Sequence, residues 1–268
     1  MFLTRKARNS INWLTIAYCV LGVLLLLLAG FDALLGAVSW ELVCIGILAI
    51  AFGFLLRPIM RYSLGTNKLL MRANKLVYHQ LRPGEFIRLY IQKRDCPDNV
   101  VAKPDFNVLN QLAVAYDALD DTAHVQETLD QMLSIAPEKK KAYAMLLKAG
   151  MLYGKGQKEE AEQLYREAQN GKLDFMTKAT ADVVLKTDRA MALGDYATAE
   201  AYFKQMLAQS FPKHPPLSVL IAHYNLGKIY ALTNHPEKAK EHVNYCLENG
   251  GETAIKAKTA EILDFLQA

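Results

Sequence analysis

Apolar residues are concentrated at the start of the chain, where they form two long runs separated by a short turn. No residue between Arg8 and Asp32 is charged, and a helix of that length crosses a hydrocarbon layer of about 30 Å. The second run contains one charged residue, Glu41, near its beginning. This pattern predicts a membrane anchor over residues 1–58, with transmembrane helices at about residues 11–31 and 37–56.

After the anchor, apolar residues recur at helical spacing, and no stretch alternates as a half-buried β-strand does. A pattern repeats along residues 105–250 with a period near 35–40 residues. In each unit a small or β-branched residue is followed four positions later by a large apolar one. These pairs are Val125 and Leu129, Ala161 and Tyr165, Ala199 and Phe203, and Ala239 and Val243. The sequence therefore predicts an all-α fold built from helix pairs, since neither helix of a pair can bury its apolar face alone.

The repeat resembles the tetratricopeptide family, although its spacings of 36, 38 and 40 residues exceed the usual 34. The full Leu-Gly-x-x-Tyr signature of a first helix occurs once, at Leu226, Gly227 and Tyr230. The resemblance implies a right-handed α-solenoid of about four pairs over residues 105–268. We expect tight turns at Gly156, Gly194 and Asn234, where the backbone must be permissive. We also expect a capping helix over residues 253–267 at the open end of the solenoid, with Thr253 as its N-cap.

The segment between anchor and repeats is basic. Residues 57–104 carry ten Lys and Arg against three acidic residues, and two short helices are predicted there, the second at Glu85–Arg94. We expect residues 59–104 to be a juxtamembrane region, in which residues 66–95 form either a degenerate fifth pair or an independent one. Five cations make a basic collar that faces anionic lipid or simply flanks the membrane: Arg57, Arg61, Lys68, Arg72 and Lys75.

Charge also predicts orientation. Arg5, Lys6 and Arg8 precede the first apolar run, the basic collar follows the second, and the turn between the runs has no Lys or Arg. The positive-inside rule then places both termini in the cytoplasm of a multi-pass protein, for which we expect a bacterial plasma membrane. The alternative is a cleaved signal peptide, which also begins with basic and then apolar residues.

Composition excludes some classes of function. Residues 105–268 carry 18 basic and 22 acidic side chains, which disfavours nucleic-acid binding. The four cysteines are scattered, which fits a reducing compartment. The chain has no nucleotide-binding, hydrolase or zinc-protease motif, and its six histidines are placed for surface or packing roles, His223 among the packed ones. We therefore expect no enzyme activity, cofactor or metal.

A binding groove is the remaining candidate site. In the resembled family, the first helices of successive pairs line a concave groove that holds a peptide or a helix. The residues predicted to line it here are Asn107, Asn110, Val114, Tyr143, Leu146, Tyr153, Val184, Asp188, Tyr224 and Lys228. This predicts a scaffold or adaptor that binds a protein partner on the cytoplasmic face of a membrane. The alternatives are a structural subunit that assembles through its membrane helices, and an enzyme without a recognisable motif.

Overall fold

The computed structural model describes residues 5–34, 40–62, 68–95, 105–170, 173–209 and 214–267, and side chains within them except those of residues 5–9, 56–62 and 267. The described residues are helical and contain no strand. Contacts divide the chain into two compact units. Unit 1 comprises residues 1–71 and 90–105, and unit 2 comprises residues 72–89 and 106–268.

Unit 1 is built on two long helices, α1 (Arg5–Leu34) and α2 (Trp40–Tyr62). They run antiparallel and pack closely, because glycines replace side chains at the contact. A Cβ on Gly46 would lie 2.9 Å from the carbonyl oxygen of Gly22, and one on Gly53 would lie 2.9 Å from the Cβ of Tyr18. Small residues of this kind let two helix backbones approach, as they do between transmembrane helices.

The outward faces of both helices are apolar and exposed, with Leu27 65% and Phe54 61% accessible. Among the described residues, one helix segment, Ser10–Leu34, is long and apolar enough to cross a membrane. The apolar part of α2, Trp40–Leu55, is shorter. Of the linking residues predicted between the two spans, residues 32–34 continue α1, and residues 35–36 lie outside the described part of the chain.

The segment after α2 begins with α3 (Lys68–Ala73), which continues as a π-helical segment, π1 (Asn74–His79). Helix α4 (Pro83–Arg94) then matches the second juxtamembrane helix expected from the sequence. In the basic collar, the side chains of Lys68, Arg72 and Lys75 are exposed, while those of Arg57 and Arg61 lie outside the description.

The remainder of unit 2 consists of helices joined by short turns. Their bounds are α5 (Phe106–Asp117), α6 (Thr122–Ile135), α7 (Glu138–Gly154), α8 (Lys158–Gln169), α9 (Phe175–Val184), the π-helical segment π2 (Leu185–Arg189), α10 (Ala190–Leu193), α11 (Tyr196–Ala208), α12 (Pro216–Leu232), α13 (Pro236–Asn249) and α14 (Ile255–Gln267). Segments α9, π2 and α10 follow one another without a break. They therefore serve as one first helix, and the four pairs are α5–α6, α7–α8, α9/π2/α10–α11 and α12–α13.

The turn inside each pair has the same geometry. The residue before the N-cap has a positive φ in all four turns: Asp120 (60°), Gly156 (75°), Gly194 (77°) and Asn234 (58°). The N-cap amide then donates to the carbonyl five residues earlier, at 2.8–3.0 Å in every case. This bond satisfies a carbonyl that the end of the first helix leaves free. The turns expected at Gly156, Gly194 and Asn234 are confirmed, and Asp120 is a fourth that the sequence did not reveal.

The small repeat residues are buried where the helices of a pair meet. Ala161, Ala199 and Ala239 are all fully buried, and the large apolar partners four positions later are at most 7% exposed. The apolar core follows the same order, since each cluster joins one pair to the first helix of the next.

The two ends of unit 2 contact each other. The backbone amide of Ala254, just before α14, donates to the carbonyl of Ala118 at the end of α5 (2.8 Å), and that of Glu252 donates to the carbonyl of Leu81 (3.0 Å). Lys258 on α14 also pairs with Asp120 in the first turn (2.5 Å). The row of helix pairs therefore closes on itself, and α14 lies against its beginning as well as against α12 and α13.

This closure differs from the expectation for α14 in two ways. The helix is present where the sequence predicts a final helix, with Thr259 buried and Ile262 half-buried on its inner face. It does not cap an open end, however, since it contacts the first turn. In addition, the hydroxyl of Thr253 donates to the carbonyl of Gly250 (2.6 Å), which is a different bond from the expected N-cap.

Candidate functional site

Two adjoining cavities open along the first helices of the four pairs. Cavity 1 has a volume of about 330 Å³ and lies among α5, α6, α7, π2 and α14. Cavity 2 has a volume of about 300 Å³ and lies among α7, π2, α10, α11 and α12. Both are lined by Gly154 and Asp188, so they adjoin there, and we call the two cavities together the groove.

Six of the ten residues predicted to line a groove do so. Cavity 1 is lined by Asn110, Val114 and Val184, cavity 2 by Tyr153 and Lys228, and both by Asp188. They share one property, which is that each belongs to the first helix of its pair. The periodicity of those helices is therefore enough to place residues in the groove.

Four predicted residues lie elsewhere. Leu146 is fully buried in the core, so that assignment is corrected: its position on α7 faces the second helices and not the groove. Asn107 accepts a hydrogen bond from Lys140 (3.0 Å) at the edge of the first pair. Tyr143 is half-buried, and burial raises its pKa. Tyr224 is likewise half-buried on α12, outside the linings of both cavities.

Asp188 occupies the junction of the two cavities. Its carboxylate lies over Gly150 on α7, where a Cβ would come within 2.9 Å of Oδ2. The residue belongs to π2, and π-helical turns often present side chains at functional sites. Gly150 thus leaves room for a charged group that any other residue at that position would push aside.

The environment of this junction raises the pKa of two carboxyl groups, those of Asp188 and Asp117. Asp188 is accessible through the groove but surrounded by helices, and this burial together with the charge of Asp117 raises its pKa to about 6. Burial also raises the pKa of Asp117, against the opposing effect of Lys258. Two carboxyl groups that line one cavity therefore both resist ionisation.

A partly buried ion pair ties π2 to α8 beside the groove. Arg189 donates to both oxygens of Glu162, from Nε at 2.8 Å and from Nη2 at 3.0 Å, and the hydroxyl of Tyr153 donates to Oε2 at 2.5 Å. These bonds lower the pKa of Glu162 to about 2, with Arg189 the larger cause. Tyr153 therefore has a structural role in addition to lining cavity 2.

Sequence reasoning missed several groove residues. Asp117 lies on the same face of α5 as Asn110 and Val114, seven residues after Asn110. Helical periodicity extended along that face would therefore have predicted it. Gly150 and Asn225 lie on the same helices as predicted positions. Lys258 had no such signal, because it reaches cavity 1 only through the closure of unit 2.

Two of the histidines, His223 on α12 and His242 on α13, pack against each other. His223 is packed, as expected: its ring stacks on Tyr245 with centroids 3.8 Å apart, and its Nδ1 lies 2.9 Å from Nδ1 of His242. Within the described ranges, no group of three or more His, Cys, Asp or Glu is arranged to hold a metal ion.

Comparison with known protein families, curated proteins and solved structures gave no match. The function is therefore argued from the geometry of the groove.

Proposed function

We propose that this protein is a membrane-anchored adaptor of tetratricopeptide-like architecture, which binds a segment of a partner protein in the groove. The observation that carries the proposal is that two adjoining cavities are lined by the first helices of all four pairs. Recurring peptide-recognition surfaces are grooves of this kind, in which apolar walls give affinity and a few polar groups give specificity.

The groove combines those two features. Val125, Leu129, Leu147 and Met151 give cavity 1 an apolar wall, and Tyr196 and Phe203 contribute to cavity 2. Polar groups are few and come from different helices, among them Asn110, Asp188, Asn225 and Lys228. An extended segment lying across both cavities would meet side chains from every pair.

The anchor is the second part of the proposal. Helix α1 spans the membrane and α2 returns through it, so that both termini and unit 2 lie in the cytoplasm of a bacterial cell. The close antiparallel packing at Gly22, Gly46 and Gly53 supports this arrangement, because it joins the shorter apolar helix to one of spanning length. The exposed apolar faces of both helices are suited to lipid.

Topology is tested by labelling single cysteines in intact cells with a membrane-impermeant maleimide. The four native cysteines are replaced, and one cysteine is introduced at Gly36, between the predicted spans, or at the exposed Lys178. Labelling of the first variant from outside, and of the second only after permeabilisation, is expected. Labelling of Lys178→Cys in intact cells would show that unit 2 is not cytoplasmic.

Binding is tested with a photo-crosslinking amino acid in place of Lys228, which is exposed in cavity 2. The control carries it in place of Glu237, an exposed residue of α13 outside the groove. A partner crosslinked at position 228 and absent at position 237 is expected in membranes from the native cell. Identical products at both positions would count against the groove as the binding surface.

A further inference from the structure

Three aspartates and two lysines line cavity 1, which leaves a local excess of one negative charge. Asp117 and Asp188 both line it, and neither forms an ion pair with a described residue. The repulsion between them is felt at Asp188, whose pKa Asp117 helps to raise. A cation placed in this cavity would be attracted by both carboxylates.

The two lysines that line the same cavity are engaged in other bonds. Lys258 pairs with Asp120 at 2.5 Å, and this bond is part of the closure of unit 2. The ammonium of Lys155 donates to Oε1 of Gln126 at 3.1 Å. Both ammonium groups form their direct bonds with residues other than Asp117 and Asp188, although the charge of Lys258 also lowers the pKa of Asp117.

The shape and walls of the cavity select the kind of cation. A volume of about 330 Å³ is far larger than a single metal ion needs. Most of the remaining lining is apolar, including Val114, Leu147 and Met151. A long basic side chain suits such a site, because its methylene stem packs on apolar surface while its head keeps polar partners.

We propose that cavity 1 binds a Lys or Arg side chain of the partner segment, with the charged head between Asp117 and Asp188 and apolar neighbours against the walls. This inference rests on the proposed function, since it names the chemistry of the occupant of the groove. Cavity 2 lies on the other side of Asp188. Its lining contains two lysines, Lys158 and Lys228, and one acidic residue, Asp188, so it has no excess of negative charge. The basic residue is therefore assigned to the end of the groove near α5.

The test uses the full chain in detergent micelles and a positional library of immobilised heptapeptides. The wild type is expected to enrich peptides with Lys or Arg at one position beside apolar residues. Asp117→Asn/Asp188→Asn is expected to lose that preference, while Glu159→Gln/Glu160→Gln, which removes two exposed charges from the neighbouring α8, keeps it. Equal helix content of the three proteins by circular dichroism confirms that they are folded.

The best peptide is then remade with norleucine in place of the basic residue, which removes the charge and needs no protein variant. Binding measured by fluorescence anisotropy is expected to weaken about tenfold for the wild type, as for the loss of one charge pair. Enrichment of peptides without a basic preference, or equal binding of the norleucine peptide, would overturn the inference and leave the proposed function standing. If no peptide is enriched, both fail.

Discussion

The ion pair between Glu162 and Arg189 should stabilise unit 2 measurably, because it ties π2 to the second pair. Glu162→Gln keeps the shape of the side chain and removes its charge. The folded protein lowers the pKa of Glu162 from 4.5 to about 2, and each pH unit of difference from the unfolded chain corresponds to about 1.4 kcal/mol, which sets a ceiling of about 3 kcal/mol. The side chain is 24% exposed, and solvent screening reduces the expected loss to about 1–2 kcal/mol.

The sign of the pH dependence follows from the lowered pKa. Stability from Glu162 is fully present above pH 4.5, where the unfolded carboxyl is also ionised, and is lost as pH falls towards 2. The wild type should therefore lose stability between pH 4.5 and 2 more steeply than Glu162→Gln, and the two should converge at the acid end.

Urea unfolding of the full chain in detergent, followed by circular dichroism, measures this loss. Both tryptophans, Trp13 and Trp40, lie in α1 and α2, so their fluorescence reports separately on the anchor. Glu160→Gln, an exposed residue of the same helix, is the matched control and should unfold with the wild type. If Glu162→Gln and Glu160→Gln have the same midpoint at pH 7, the pair contributes nothing and the reasoning is wrong.

Three further predictions use the same measurements. Gly251→Ala should lower the free energy of unfolding by about 2 kcal/mol, because the φ of Gly251 is +56° and the new Cβ would lie 2.6 Å from the Cβ of Leu81. Gly84→Ala is the control and should change that free energy little, because the new Cβ would have no neighbour within 4 Å. Gly150→Ala should displace the carboxylate of Asp188 and weaken binding of a basic peptide in anisotropy measurements, whereas Gly84→Ala should not. Burial and the charge of His242 lower the pKa of His223 to about 4, while Glu241 opposes them. The wild type should therefore become less stable as pH falls from 6.5 to 4, and His223→Gln should flatten that dependence in urea titrations. An unchanged slope for the variant would contradict this prediction.

The helices and turns of unit 2 were predictable because local signals specify them. Gly, Asn and Asp tolerate a positive φ, and Gly156, Asn234 and Asp120 all adopt one in these turns. The π-helical turn that carries Asp188 was not predictable, since it depends on packing against α7 and α11 and not on residue type. Six of the ten residues predicted for the groove followed from the periodicity of the first helices.

What the sequence could not predict arises from contacts between distant residues. No motif or periodicity in the sequence links Lys258 to Asp120. The open solenoid expected from the repeats would keep these two residues apart. The length of the second predicted span could not be read from the sequence for a different reason. Helix α2 continues beyond its apolar part into residues that include Pro58 and Arg61, so its length as a helix exceeds its length as an apolar segment.

The contact between Lys258 and Asp120 has a consequence for how the protein is made. The two residues are 138 positions apart, and closing a loop of that length costs about 5 kcal/mol of chain entropy. The contact forms only after α14 has left the ribosome, when the first helix pairs are already synthesised. Until then, the carbonyl of Ala118 lacks its bond to Ala254. A chain truncated before residue 254 should therefore be left with cavity 1 open, because it lacks the Lys258 that lines it.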